Sequence, residues 1–195
     1  VRLASYQAVS GAGRAALEEL FSQNRALLSA GTSTSDERSP VLKAPKHKAL
    51  PKAIAFNVIP QVGRFDARGI SSEENKVAAE LRKVWAAPRL PVSVTAVRVP
   101  TIRGHALAAW LMLRKPLTPG QARRIMAKTK GLVVSEGGGY FTPLSAAGRL
   151  PVYAGRVRPG AFPNEICLWI VSDNLLKGAA LNSLQIAEHL LKKGW

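Results

Sequence analysis

Two hydrophobic periods alternate along this chain, and together they restrict it to folds that pack helices on a sheet. Residues 92–99, Val-Ser-Val-Thr-Ala-Val-Arg-Val, alternate with a period of two and are rich in β-branched side chains, so they read as a strand. Residues 105–114 form a second apolar run, expected to pair with the first in antiparallel fashion. Residues 71–85 carry the helical period instead: Ser71 and Glu74 make a capping-box pattern, Val77, Leu81 and Val84 supply one apolar face, and Pro88 follows the end. Thr118 and Pro119 open another helix, expected to run to about Lys130 with Gly131 as its stop. Helices are also expected over 11–29, with Leu17, Leu20, Phe21 and Leu28 at helical spacing, and over 178–193. Residues 53–59 read as a strand ended by Pro60, and 152–157 and 166–172 as two more. Residues 31–52 are rich in Ser, Thr, Pro and Lys, follow neither period and read as a loop. Strands and helices mix without regular βαβ alternation. The expected class is therefore α+β, a mixed and largely antiparallel sheet with helices on one face. The 195 residues suit a single domain, with the 31–52 loop and the terminal helix as appendages.

Charge is the first functional clue. Lys plus Arg is 28 against 12 for Asp plus Glu, a formal net charge of +16. Residues 81–135 contain no acid but eleven basic side chains. A second focus is Lys43, Lys46, Lys48 and Lys52, interrupted by Pro45 and Pro51, which suits an extended loop lying along phosphates. Such an imbalance points to a polyanionic partner. The single cysteine excludes a disulfide framework and a thiolate metal cluster, and no metal site is expected. No apolar run reaches the ~20 residues of a membrane span. The chain starts at Val1 with no signal-peptide pattern and is read as processed or partial.

Several stretches carry a joint pattern. The chain opens on Ser5-Tyr6-Gln7-Ala8-Val9-Ser10-Gly11-Ala12-Gly13. Ala55-Phe56-Asn57-Val58-Ile59-Pro60 follows, then Glu73-Glu74-Asn75-Lys76, then Val97-Arg98-Val99-Pro100 with Gly104-His105. Residues 169–180, Trp-Ile-Val-Ser-Asp-Asn-Leu-Leu-Lys-Gly-Ala-Ala, come near the end, followed by Asn182 and Gln185-Ile186-Ala187-Glu188. In this order and spacing they resemble the C-terminal half of aspartate-semialdehyde dehydrogenase, over nearly the whole chain.

That resemblance implies an activity and a set of roles. The family makes aspartate semialdehyde from aspartyl phosphate with NADPH, through a thioester. Gln7 would orient the acyl intermediate, Glu73 and Arg98 would hold the substrate's amino group and carboxylate, and Lys76 would bind phosphate. His105 would be the general acid/base. Ser10, Gly11, Ala12 and Gly13 would approach the dinucleotide, with Asn174 near its nicotinamide. The residue chemistry agrees: Arg suits a bidentate carboxylate clamp, His passes protons near neutral pH, and glycines before a helix let backbone approach phosphate. The family's nucleotide-binding half and its nucleophilic Cys precede the stretch that this chain resembles. Cys167, in the apolar run Glu165-Ile166-Cys167-Leu168-Trp169, reads as buried packing. The chain alone is expected to be inactive, with no cofactor of its own and NADP belonging to the ancestral enzyme. The family also implies that the final helix docks on the nucleotide domain and that this half's sheet builds the dimer contact.

Two functions compete. Charge favours a repurposed, non-catalytic scaffold in a large RNA-containing assembly such as a divergent organellar ribosome, in an intracellular setting, mitochondrial or plastid. Its phosphate contacts would be Lys43, Lys46, Lys48, Lys52, Arg114, Lys115, Arg123, Arg124, Lys128 and Lys130, with RNA and neighbouring proteins as partners and no membrane. The alternative is the substrate-binding half of an aspartate-semialdehyde dehydrogenase whose nucleotide domain and nucleophilic Cys lie outside this sequence. A third reading is a module that dimerises with an intact dehydrogenase.

Overall fold

The computed structural model describes residues 1–29 and 43–194. Six strands form one sheet: β1 (Arg2–Gln7), β2 (Ser93–Arg98), β3 (His105–Met112), β4 (Leu132–Val134), β5 (Val152–Pro159) and β6 (Glu165–Ser172), in the order β2-β1-β3-β6-β5-β4. The three inner pairings are antiparallel and the two outer ones, β1–β2 and β4–β5, are parallel. The helices are α1 (Arg14–Ser29), α2 (Ser72–Val84), α3 (Pro119–Met126), α4 (Pro143–Ala146) and α5 (Leu181–Lys192). This is the expected α+β mixed sheet.

Side chains alternate between the two faces of a strand. On one face Ile166 and Leu168 of β6, Ala109 of β3 and Ala154 of β5 pack with Ala122 of α3. On the other, Val171, Ala106 and Tyr153 meet Ala146 of the four-residue α4, with Tyr6, Phe141 and Trp169 beside them. A separate cluster gathers Ala16 and Leu20 of α1 with Val9, Leu50, Ile54 and Ile59.

The structure corrects several expectations. Strand β1 was not foreseen, and it lies between β2 and β3, so those two strands are not partners. Residues 53–59 form no strand. The backbone N–H groups of Ile54 and Ala55 donate to Gln23 Oε1 of α1 at 2.9 and 3.1 Å, and Phe56 turns the chain with φ +54°. Their amides are satisfied by a buried side chain instead of a neighbouring strand. The helix expected from residue 11 begins at Arg14, because a 3-10 turn (Val9–Ala12) ends at Gly13 with φ +89°. Helix α3 stops at Met126 instead of near Lys130, and the chain leaves through tight turns to Gly131, φ +79°, so that Leu132–Val134 can pair with β5. Helix α5 starts at Leu181 after a π-helical turn over Leu176–Ala180. Of the 31–52 loop, residues 31–42 lie outside the described part; 43–52 carry no helix or strand. Among the described residues, no helix is long and apolar enough to cross a membrane.

Candidate active site

The C-terminal ends of the parallel strands β1 and β2 and the start of antiparallel β3 meet at one end of the sheet. Gln7 sits opposite Arg98 in the β1–β2 register, and Tyr6 opposite Ala106, so Gln7, Arg98 and His105 share one face there. Arg98 and Gln7 are only 6% and 7% exposed. The backbone of Ala8 ties them together: its carbonyl accepts from Arg98 Nη1 at 2.8 Å, and its N–H donates to His105 Nδ1 at 3.1 Å. An Nδ1 that accepts leaves the proton of a neutral imidazole on Nε2.

Helix α2 brings the acid. Ser71 caps it, taking Glu74 N at 3.3 Å while Glu74 Oε2 takes Ser71 N at 2.7 Å. The other oxygen of Glu74 accepts Ala96 N of β2 at 2.9 Å, which locks the helix to the sheet. With α2 held this way, Glu73 Oε1 accepts from Gln7 Nε2 at 3.2 Å, and its second oxygen lies 3.6 Å from Lys76 Nζ. The five residues expected to act on substrate therefore converge.

Electrostatics follow from the packing. Burial, reinforced by the Arg98 charge, pushes His105 down to about 4, against the pull of Glu73 and Asp173. Burial also lowers Arg98, which Glu73 partly offsets; a guanidinium stays charged all the same. The space above this pair is kept by Gly11, where a Cβ would stand 3.1 Å from both Arg98 Nη1 and His105 Nε2.

Asn174 and Ser10 meet beside it: Asn174 Nδ2 donates to Ser10 Oγ at 3.0 Å, and Asn174 Oδ1 accepts Gly104 N at 2.8 Å. Gly11, Ala12 and Gly13 are exposed in the turn that leads into α1. The sequence reading missed the support under this corner. Asp173 is fully buried; one oxygen takes Arg103 Nε and Gly148 N, both at 2.6 Å, and the other takes Leu175 N and Leu176 N at 2.9 and 3.0 Å. Burial raises that carboxyl, but these hydrogen bonds outweigh it and hold Asp173 below its ordinary value. The available signal was an Asp at the end of an otherwise apolar strand.

Cys167 is remote from all this. It pairs with Trp110, whereas His105 pairs with Ser172, so the two are separated by five residues, roughly 17 Å of strand, and they face opposite sides of the sheet. Burial raises its thiol. The basic residues set aside for phosphate fall on three separate stretches of the chain. Lys43, Lys46, Lys48 and Lys52 follow a segment tied to α1, where Lys46 O accepts from Gln23 and Lys48 N donates to Glu19. Arg114 and Lys115 lie in the turn after β3, while Arg123 and Arg124 sit on α3 with Lys128 and Lys130 just beyond. Arg123 Nη1 is spent on Val157 O at 3.1 Å.

Residues 1–177 match the semialdehyde dehydrogenase dimerisation domain. The chain belongs to that family. Among curated relatives, aspartate-semialdehyde dehydrogenase of Aquifex aeolicus is 36% identical over 198 residues, covering 100% of this chain and 55% of the relative. That of Bacillus subtilis is 38% identical over 197 residues, with 98% and 56% covered. Among solved structures, aspartate semialdehyde dehydrogenase II from Vibrio cholerae superposes with a TM-score of 0.89 at 35% identity, covering 100% of this chain and 55% of that one; it has also been solved complexed with ASA. A probable aspartate-semialdehyde dehydrogenase from Pseudomonas aeruginosa gives 0.87 at 34% identity, with the same coverage. This semialdehyde dehydrogenase domain thus spans about half the length of the relatives that it matches. The comparisons favour the enzyme-half reading and lend nothing to an RNA-bound scaffold.

Proposed function

We propose that this chain is the substrate-binding and dimerisation half of an aspartate-semialdehyde dehydrogenase, which reduces aspartyl phosphate to aspartate semialdehyde. The observation that carries the reading is the convergence of Gln7, Glu73, Arg98 and His105, which a scaffold has no reason to assemble. Arg98 spends Nη1 on Ala8 O, so Nη2 and Nε remain to clamp the substrate carboxylate. Glu73 accepts the substrate ammonium, and Lys76 beside it offers a cation to the phosphate. Gln7 orients the acyl oxygen. His105, neutral and carrying its proton on Nε2, offers that N–H as a hydrogen-bond donor to the developing alkoxide oxygen and stabilises its charge.

At the corner formed by Gly11, Ala12 and Gly13, the missing Cβ of Gly11 leaves space over His105 for a ligand. Those residues, with Ser10 and Asn174, would hold the nicotinamide end of NADPH, which would supply the hydride and leave as NADP. The acyl-accepting thiolate and the dinucleotide-binding domain are assigned to residues outside this sequence, since Cys167 cannot reach the site.

The test is NADP- and phosphate-dependent turnover of aspartate semialdehyde by the full-length protein. His105→Ala is expected to lower kcat by two to four orders of magnitude. Arg98→Lys is expected to raise KM far more than it lowers kcat. Turnover untouched by His105→Ala, or absent in the unmodified full-length protein, overturns the reading.

A further inference from the structure

A cavity of about 520 Å³ lies away from His105, between α2 and the outer edge of β2. β2 ends the sheet. Its odd residues donate inward to β1, as Ser93 N does to Val1 O and Val99 N to Gln7 O, so the even residues turn their amides outward. Ala96 N is taken by Glu74, and Arg98 exchanges N–H and C=O with Ile59 at 2.8 and 2.9 Å. Val94 has neither: among the described residues nothing meets its N–H or its C=O. An open strand edge inside a groove is a template for one more strand.

The walls say which kind. Val92, Val94 and Ala78 make an apolar floor, and Arg68 and Arg82 stand over it. Glu74 is committed with both oxygens to backbone N–H groups. Arg82 Nε donates to Leu90 O at 3.0 Å, which fixes the side chain and leaves both Nη without a partner among the described residues. Arg68 spends Nη2 on Asp66 and Asn75 and keeps Nη1. Glu74 is the one acid in the lining and Asp66 pairs with Arg68, so the guanidinium of Arg82, with no acid paired to it among the described residues, is the cation left to a ligand. On α2, Asn75, Ala78 and Arg82 form one stripe, and Glu73 and Lys76 lie on another, about 100–180° away at ~100° per residue. We infer that this groove takes an extended acidic peptide, which pairs its main chain with Val94 and sets a carboxylate on Arg82. The binding face is thus separate from the dehydrogenase site.

Fluorescence anisotropy of the full-length protein with a labelled Val-Glu-Val-Asp-Val peptide tests this. Saturable binding is expected, weakened at least tenfold by Arg82→Gln and abolished by Val94→Pro. Proline there removes the outward N–H together with the Val94 part of the floor, and leaves the ladder to β1 intact. N-methylating alternate peptide amides probes the same bonds with the protein untouched, and the expected result is again loss of binding. The inference is overturned by no binding at millimolar peptide, by unchanged binding of the N-methylated peptide, or by equal binding of a Gln/Asn version. Competition by free glutarate at the peptide's own concentration also overturns it, because the groove then reads a carboxylate alone. So does a change of oligomeric state on Val94→Pro in sedimentation, because the edge then pairs with a second copy.

Discussion

His105 gives the sharpest residue-scale prediction, because its tautomer and its charge are set by different neighbours. The Ala8 amide fixes the proton on Nε2, while burial and the Arg98 charge hold the ring near 4 against an ordinary 6.5. Between those values the unfolded chain binds more protons than the folded one, so stability rises with pH from 4 to 6.5 and is flat above for this group. At ~1.4 kcal/mol per pKa unit the full difference is roughly 3 kcal/mol. Urea midpoints are expected to fall as pH drops through that window, and His105→Asn is expected to remove much of the slope. An NMR titration of the ring that finds a midpoint at 6.5 would refute the assignment. Gly11→Ala tests the space above the ring: the added Cβ crowds His105 Nε2 and Arg98 Nη1 at 3.1 Å. Turnover is expected to drop ten- to hundredfold with an unchanged circular dichroism spectrum, since small misplacements at the reacting atoms are expensive and the position is exposed. These residues were legible in the sequence through their joint pattern. Asp173 and Arg103 were not, because nothing in a one-dimensional string marks a carboxylate whose partners, besides the two amides just after it, come from two distant segments.

At the scale of elements, what the sequence hid was polar groups doing the work of strands. Residues 53–59 have strand composition, yet the helix α1 side chain Gln23 takes both of their buried amides and returns Nε2 to Lys46 O at 3.0 Å. Gln23 is 2% exposed, so Gln23→Leu strands two buried N–H groups and one carbonyl. The expected loss is about 2–5 kcal/mol in chemical denaturation, with the sheet's amide exchange protection kept and that of 53–55 lost first. A loss under ~1 kcal/mol would mean that water reaches those amides. β1 was hidden for the converse reason: Ser5 and Gln7 are buried where apolar residues would announce a strand, Gln7 turned toward Glu73 and Ser5 accepting from the Gln7 amide, and so they break the apolar alternation. The capping box of α2 and the Thr118–Pro119 start of α3, by contrast, were readable to the residue, since they are local.

For the whole molecule, the +16 charge pulled the sequence reading toward RNA, but charge has no address until the fold assigns one. Folding spreads the expected phosphate contacts over separate elements, while it collects aromatics on one face of the sheet. Tyr6 and Trp169 meet with their rings tilted by 48° and centroids 5.4 Å apart, and Ala108, Trp110, Arg156 and Arg158 line a shallow cleft of about 190 Å³ with them. Helix α3 covers the opposite face, and this face is left half open. Large, half-buried aromatics ringed by arginine are what a self-complementary interface buries at its centre. A two-fold dimer through this face therefore fits the family's dimerisation role. Trp110→Glu puts a charge into that centre and is expected to weaken the dimer at least a hundredfold in sedimentation equilibrium. Ile125→Glu, on the exposed side of α3, is the matched control and is expected to leave it intact. If both variants remain dimeric, the contact lies elsewhere, and the free-standing α5, which buries none of its residues and exposes Leu184, Ile186 and Leu191, becomes the surface to mutate next.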